Sequence, residues 1–136
     1  MDKSTKIYPF TEFSDERGVL SVIEHGPNLP FLVRRAYFLH HCSGFPRGGH
    51  AHKKLKQFLF CSSGSFRIKL DYGYLEEDIY LEQFSFGILL DKPVWRELYD
   101  FSTDAVCVVL ASEVFDPDDY IHNKSDFLEY LRGGSL

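Results

Sequence analysis

Cysteine is scarce in this chain, long apolar runs are missing, and basic residues are outnumbered by acidic ones, 15 against 20, for a net charge of -5. Cys42, Cys61 and Cys107 are odd in number and widely spaced, which argues against a disulfide framework and for reduced, structural thiols. No segment approaches the roughly 18 apolar residues of a membrane-spanning helix. The opening MDKSTKIYPF lacks the apolar stretch of a secretory signal, so the expected location is cytoplasmic. The negative charge disfavours nucleic acid or an anionic membrane as the main partner, because the overall field repels both. Local basic residues remain free to bind a small anion. Repeats, low-complexity tracts and linkers are also missing, and residues 1–136 read as a single domain.

What is present is a series of short strands. Val19 and the segments 31–39, 57–61, 66–70, 79–84, 87–90, 94–99 and 105–110 carry strand patterning, separated by turns at Ser62-Ser63-Gly64, Asp71-Tyr72-Gly73 and Asp91-Lys92-Pro93. Alternation in SFRIKL marks a half-exposed strand, and the unbroken AVCVVL marks a central one. Many short strands predict a sandwich or barrel. Near the end, Asp116-Pro117 offers a helix cap and first turn, and Phe127, Leu128, Tyr130 and Leu131 an apolar face, predicting one or two short helices.

Chemistry concentrates in GFPRGGHAHKKLKQFLFCSSG. His50 and His52 stand two apart in extended sequence, so both imidazoles enter the same side of a sheet. Two imidazoles on one face suit metal binding or proton transfer.

The spacing Gly44, five residues, His50, one residue, His52, four residues, Gln57, six residues, Gly64 is similar to the first cupin motif, with glutamine in place of the usual glutamate. Gly87, five residues and Pro93 match the start of the second motif, where Leu98 takes the place of the last histidine ligand. The fold so implied is an all-β cupin jelly-roll barrel with a short C-terminal helical segment. A catalytic or structural transition metal needs three or four protein ligands, and neither glutamine nor leucine supplies a strong one. No metal is expected.

DERGVLSVIE, PFLVRRAYFL, PRGGHAHKKLKQFLFCSSGS, VWRELYDFS and VLASEVFDPDDYI, spread over most of the chain, resemble the dTDP-4-keto-6-deoxy-D-glucose 3,4-ketoisomerases. The resemblance implies a cofactor-free isomerase of dTDP-4-keto-6-deoxyglucose, moving the carbonyl from C4 to C3 through an enediolate and supplying a 3-keto sugar for 3-amino-3,6-dideoxy sugar biosynthesis. It assigns His52 as the C3 base and His50 as the proton shuttle between the oxygens, with the reverse order open, and Tyr37 as a third active-site group. It further implies a homodimer, which a strand swap would hold together, with Arg17 able to complete the partner's site.

Other candidates follow from residue chemistry. Arg47, beside glycines that permit close approach, suits bidentate phosphate contact. Alternation places Arg35 on the face of Tyr37, within reach of a diphosphate. Gln57 in the cupin register points inward and can bond a sugar hydroxyl. Trp95 offers a stacking surface or pocket wall, and Lys53 completes the substrate-binding set. Arg17 and Arg96, in the segments that resemble determinants of C4 configuration, are also taken as substrate contacts, with a lean to the glucose-configured product. The competing readings are a 3,5-epimerase on the same nucleotide sugar, which would leave the carbonyl at C4, a non-catalytic sugar-nucleotide-binding cupin, and a metal-dependent oxygenase.

Overall fold

The computed structural model describes residues 5–133. In chain order the strands are β1 (Lys6–Tyr8), β2 (Thr11–Asp15), β3 (Gly18–Val22), β4 (Arg35–His40), β5 (Arg47–His52), β6 (Gln57–Ser63), β7 (Ser65–Asp71), β8 (Glu76–Glu82), β9 (Gly87–Leu90), β10 (Trp95–Tyr99), β11 (Val106–Ala111) and β12 (Tyr120–Ile121). A 3-10 turn, Pro117–Asp119, precedes β12, and one helix, α1 (Lys124–Leu131), follows it. As expected, Asp116 caps the turn with Pro117 inside it, and Asn123 caps α1 by accepting from the backbone of Ser125 and Asp126. Segment 31–39 is strand only from Arg35; the strands β1 and β2 and the short β12 are additions to the sequence reading.

Two five-stranded sheets, ordered β1-β9-β6-β11-β4 and β12-β5-β10-β7-β8, face one another, and every named strand pair within them is antiparallel. This is the two-sheet jelly roll that the motif spacing implied. Alternation decides what lies between the sheets. Leu59 and Cys61 of β6, Phe66, Ile68 and Leu70 of β7, and Cys107 and Val109 of β11 form one buried cluster. Cys42, Cys61 and Cys107 are all buried and free.

The opposite face of the first sheet carries a second cluster, in which Phe58 and Phe60 of β6 and Val108 of β11 pack under Leu29 and Phe31. Both faces of β6 and β11 are therefore apolar, hence their unbroken hydrophobic runs. On the outer face of the second sheet, Ala51, Trp95, Ile121 and Phe127 make a third cluster beneath α1. The hairpin β2–β3 stands apart, pairing with neither sheet, and exposes Phe13, Val19 and Leu20 by about three fifths of their surface (62%, 62% and 61%). No helix among the described residues is long and apolar enough to cross a membrane.

Candidate active site

At one end of the space between the sheets lie two adjoining cavities. The inner one, about 260 Å³, is lined by residues that include Tyr37, Arg47, His50, Gln57 and Arg96. The outer one, about 330 Å³, is lined by His52, Lys54, Glu113, Asp116 and Asp119 among others. Arg35 and Tyr120 belong to both.

The backbone of β5 explains how Arg47 and His50, three residues apart, come to line the same cavity. Arg47 pairs with Leu98, Gly48 with Glu97 and His50 with Arg96, so Gly49 is one residue too many for the ladder. Gly48 and Gly49 absorb this bulge at positive φ, +92° and +73°. A β-carbon on Gly48 would lie 2.9 Å from the Arg96 carbonyl oxygen, so the close approach of β10 depends on glycine there. Beyond the bulge normal alternation resumes: His50 and His52 point inward and Ala51 outward into the cluster below α1.

The two histidines have different neighbours. His52 is 3% exposed and its Nδ1 lies 3.1 Å from Asp119 Oδ2. A carboxylate only accepts, so Nδ1 carries the proton and Nε2 keeps a bare lone pair. That Nε2 is buried and has no hydrogen-bond partner among the described residues. Asp119 is itself fixed by the backbone N–H groups of Lys54, at 2.7 Å, and Leu55, at 3.3 Å, which donate to its two carboxylate oxygens. His50 hydrogen-bonds to the Gly48 backbone, and its ring centroid lies 5.0 Å from that of His52, at right angles to it. Burial pushes the His50 pKa down to about 4, with Arg96 adding to the effect. Burial, then Arg96 and His50, drive His52 in the same direction. Both rings are neutral near pH 7.

Arg96 is 4% exposed. Its Nη1 donates to Gln57 Oε1, and its Nε and Nη2 reach the Val94 carbonyl at 3.4 Å. No carboxylate among the described residues forms an ion pair with it. Burial lowers its pKa to about 10, which leaves it a cation at neutral pH. The Gln57 amide Nε2 donates to the Tyr37 hydroxyl at 2.8 Å, and burial raises the Tyr37 pKa. Arg35 lies over the Tyr37 ring at 5.2 Å and the Phe115 ring at 5.7 Å, and its buried Nε lacks a hydrogen-bond partner among the described residues. The pocket thus presents a bare imidazole nitrogen, a desolvated cation and unpaired donors, which suits proton transfer on a substrate that develops negative charge.

Of the residues expected from sequence, Tyr37, Arg35, Arg47, His50, His52, Gln57 and Arg96 are brought together. Trp95, Lys53 and Arg17 are not. Trp95 precedes Arg96 on β10, so alternation turns it to the outer face, where it packs on Phe127 and its indole donates to Glu97 at 3.0 Å. Lys53, immediately after His52, likewise lies outside both cavities and borders a groove with Asp118, Asn123 and Asp126. Arg17 sits at the tip of the β2–β3 hairpin, exposed and bonded to Asp15. Asp119 and Tyr120 were missed. The signal was faint: an acidic residue and an aromatic one in FDPDDY, 67 and 68 residues from the histidine they serve. Among the described residues, no group of three or more His, Cys, Asp or Glu side chains is placed to hold a metal ion.

Comparison with known proteins gives a consistent result. The family model FdtA, described as WxcM-like, C-terminal, matches residues 3–132. A TDP-4-oxo-6-deoxy-alpha-D-glucose-3,4-oxoisomerase of Aneurinibacillus thermoaerophilus is 42% identical over 127 residues, 93% of this chain and 91% of that protein. The QdtA 3,4-ketoisomerase of Thermoanaerobacterium thermosaccharolyticum, as an asparagine-for-histidine variant in complex with TDP-4-keto-6-deoxyglucose, superposes with a TM-score of 0.90 at 34% identity, over 100% of this chain and 99% of that one. The WlaRB TDP-quinovose 3,4-ketoisomerase of Campylobacter jejuni gives a TM-score of 0.88 at 39% identity, over 94% and 99% of the two chains.

Proposed function

This chain belongs to the FdtA family and is a 3,4-ketoisomerase of TDP-linked sugars, and from that premise we propose how its own residues carry out the reaction on TDP-4-keto-6-deoxyglucose. The C3 proton of a 4-keto sugar is acidified by the neighbouring carbonyl. His52 Nε2 takes it, the C3–H electron pair becomes the C3=C4 double bond, and the carbonyl electrons move onto O4. His50 passes the O3 proton toward O4. Collapse of the enediolate leaves C3=O as C4 takes a proton; because H3 and H4 lie on opposite faces of a glucose-configured ring, that proton comes from the face opposite His52, and the proton on His52 goes to solvent. Electrons balance within the sugar, one proton leaves and one enters, and no redox partner takes part.

The observation that carries this reading is the pairing of a buried His52 Nε2 with a buried Arg96 cation, the first with no hydrogen-bond partner and the second with no carboxylate ion pair among the described residues. Asp119 on Nδ1 orients the His52 ring and favours the imidazolium as it forms. Arg96 stabilises the enediolate, strongly because the site is desolvated. The Tyr37 hydroxyl and the Gln57 amide bond the sugar oxygens, while Arg35 and Arg47 meet the diphosphate. In the outer cavity Glu113, Asp116 and Asp119 outnumber Arg35 and Lys54, and Arg47 lines only the inner one, so the diphosphate enters from the Arg47 side. For C4 the proposed product is glucose-configured, in keeping with 39% identity to the TDP-quinovose enzyme.

The proposed assembly is a homodimer, in the cytoplasm. An isolated two-stranded hairpin with three exposed apolar side chains is only marginally stable alone, and a second copy of the chain would cover it. In that arrangement Arg17 at the hairpin tip reaches the partner's site.

The test is incubation of the protein with TDP-4-keto-6-deoxyglucose in heavy water, followed by NMR. A 3-keto product and solvent deuterium at the carbon that gains the proton are expected. A carbonyl that stays at C4 with exchange at C3 and C5 would make the protein an epimerase, and TDP binding without turnover would make it a binding module. Trapping the product with a 3-aminotransferase reads the C4 configuration, and His52→Asn abolishes C3 exchange if His52 is the base.

A further inference from the structure

Tyr120 takes no chemical part in that reaction, yet its ring lies against both histidines. Its ring centroid lies 4.3 Å from that of His52 and 5.2 Å from that of His50. On the other side it stacks on His122 at 5.3 Å and 7°, and the Phe115 ring packs at 5.7 Å. It is common to both cavities.

We propose that Tyr120 is a positioning residue: its ring, at the junction of the two cavities, holds His50 and His52 at right angles so that both imidazoles face the sugar.

The argument begins with torsional freedom. The terminal torsion of a histidine is broad, so an imidazole on a strand keeps its angle only if something packs against it. His52 has the Asp119 bond and His50 the Gly48 bond, and each still allows rotation about that bond. A ring against both removes the remaining freedom at small entropic cost, since a tyrosine has few rotamers to lose. The ring itself is fixed from behind. β12 is two residues long; it pairs Tyr120 with His52 and Ile121 with Ala51, and Ile121 is clamped in the Trp95–Phe127 cluster under α1. Helix α1 thereby acts on the histidines through Ile121 and Tyr120.

The ring also limits hydration. The charged and titratable groups facing the two imidazoles are Arg96 from β10, Arg35 and Tyr37 from β4, Arg47 from β5, Asp119, and, behind the ring, His122. The outer cavity, which His52 lines, carries Glu113 and Asp116 together with the cations Arg35 and Lys54. With the ring gone, water reaches His50 and favours its protonated form.

This inference rests on the mechanism above, and its test separates the two. Tyr120→Phe keeps the ring, Tyr120→Ala removes it, and Tyr120→Leu replaces it with an aliphatic group that a strand tolerates; TDP binding by calorimetry checks that each variant is folded. Tyr120→Phe retains most of the turnover. Tyr120→Ala and Tyr120→Leu lose about 100-fold in kcat with little change in KM, the usual cost of a misplaced catalytic group. Their acid limb of kcat/KM moves up from near pH 4 toward 6.5. Equal losses in the phenylalanine and alanine variants would assign the role to the hydroxyl and overturn the proposal. So would wild-type kcat, or an unmoved acid limb, in the alanine and leucine variants. Failure of the wild-type protein to isomerise would instead overturn the mechanism.

Discussion

His50 and His52 share a strand and a face, and what separates them is what the rest of the chain sets beside each: a backbone carbonyl for one, a carboxylate for the other. Both are buried next to Arg96, and the protonated form of either is opposed by that cation and by lost hydration. The limb of the pH profile follows. A general base in the free enzyme stops working below its own pKa, so the acid limb of kcat/KM falls near pH 4, set by the higher-titrating His50, and not near 6.5 as for an exposed imidazole. NMR-followed isomerisation from pH 4 to 8 checks this, and a limb centred at 6.5 would refute it. The stability sign agrees. A histidine whose folded pKa is depressed binds fewer protons folded than unfolded between those two values, so folding stability declines as pH falls below 6.5. Residue by residue, the sequence revealed the pair through its two-residue spacing and Gln57 through the motif register. The same alternation forbade Trp95 and Arg96 from sharing a face, and only Arg96 faces inward. Asp119 and Tyr120 carried no such spacing, because a contact across 67 residues is made by topology alone.

At the scale of elements, the bulge in β5 decides the lining of the cavity. In a regular ladder Gly48 would oppose Leu98 and Arg47 would turn outward; one extra residue at Gly49 puts Arg47 opposite Leu98. Glycine is required at 48 on two counts, the +92° φ and the 2.9 Å gap to the Arg96 carbonyl. Gly48→Ala is therefore expected to destabilise the protein by about 2 kcal/mol, as backbone strain of this kind usually does. It should also weaken TDP binding by displacing Arg47; denaturant unfolding and calorimetry measure the two effects, and an alanine variant with unchanged stability would show that β10 can retreat. β6, β9 and β11 were legible because two-sided burial writes unbroken apolar runs, and β7 because one-sided burial writes alternation. β1, β2 and β12 were not, since short strands of exposed or mixed residues such as TEFSD and YI leave no periodicity to read.

On the scale of the whole molecule, the unpaired hairpin and the exposed edge of β4 leave this chain with more uncovered apolar surface than a lone copy carries comfortably. The proposed homodimer predicts a solution mass of twice 15.8 kDa by light scattering. Arg17→Ala should lower activity without altering that mass if the tip enters a partner's site. A monomer of full activity would refute both points. The charge distribution is uneven in a useful way: a protein of net charge -5 keeps Arg35, Arg47 and Arg96 around one small cavity. Arg96 has a further consequence for chemistry directed at this enzyme. A buried guanidinium with no acid beside it is complementary to a flat anion with two adjacent oxygens, a species the natural substrate becomes only in passing. A TDP-linked hydroxamate, once ionised, keeps that shape without reacting, and it is expected to bind more tightly than the sugar.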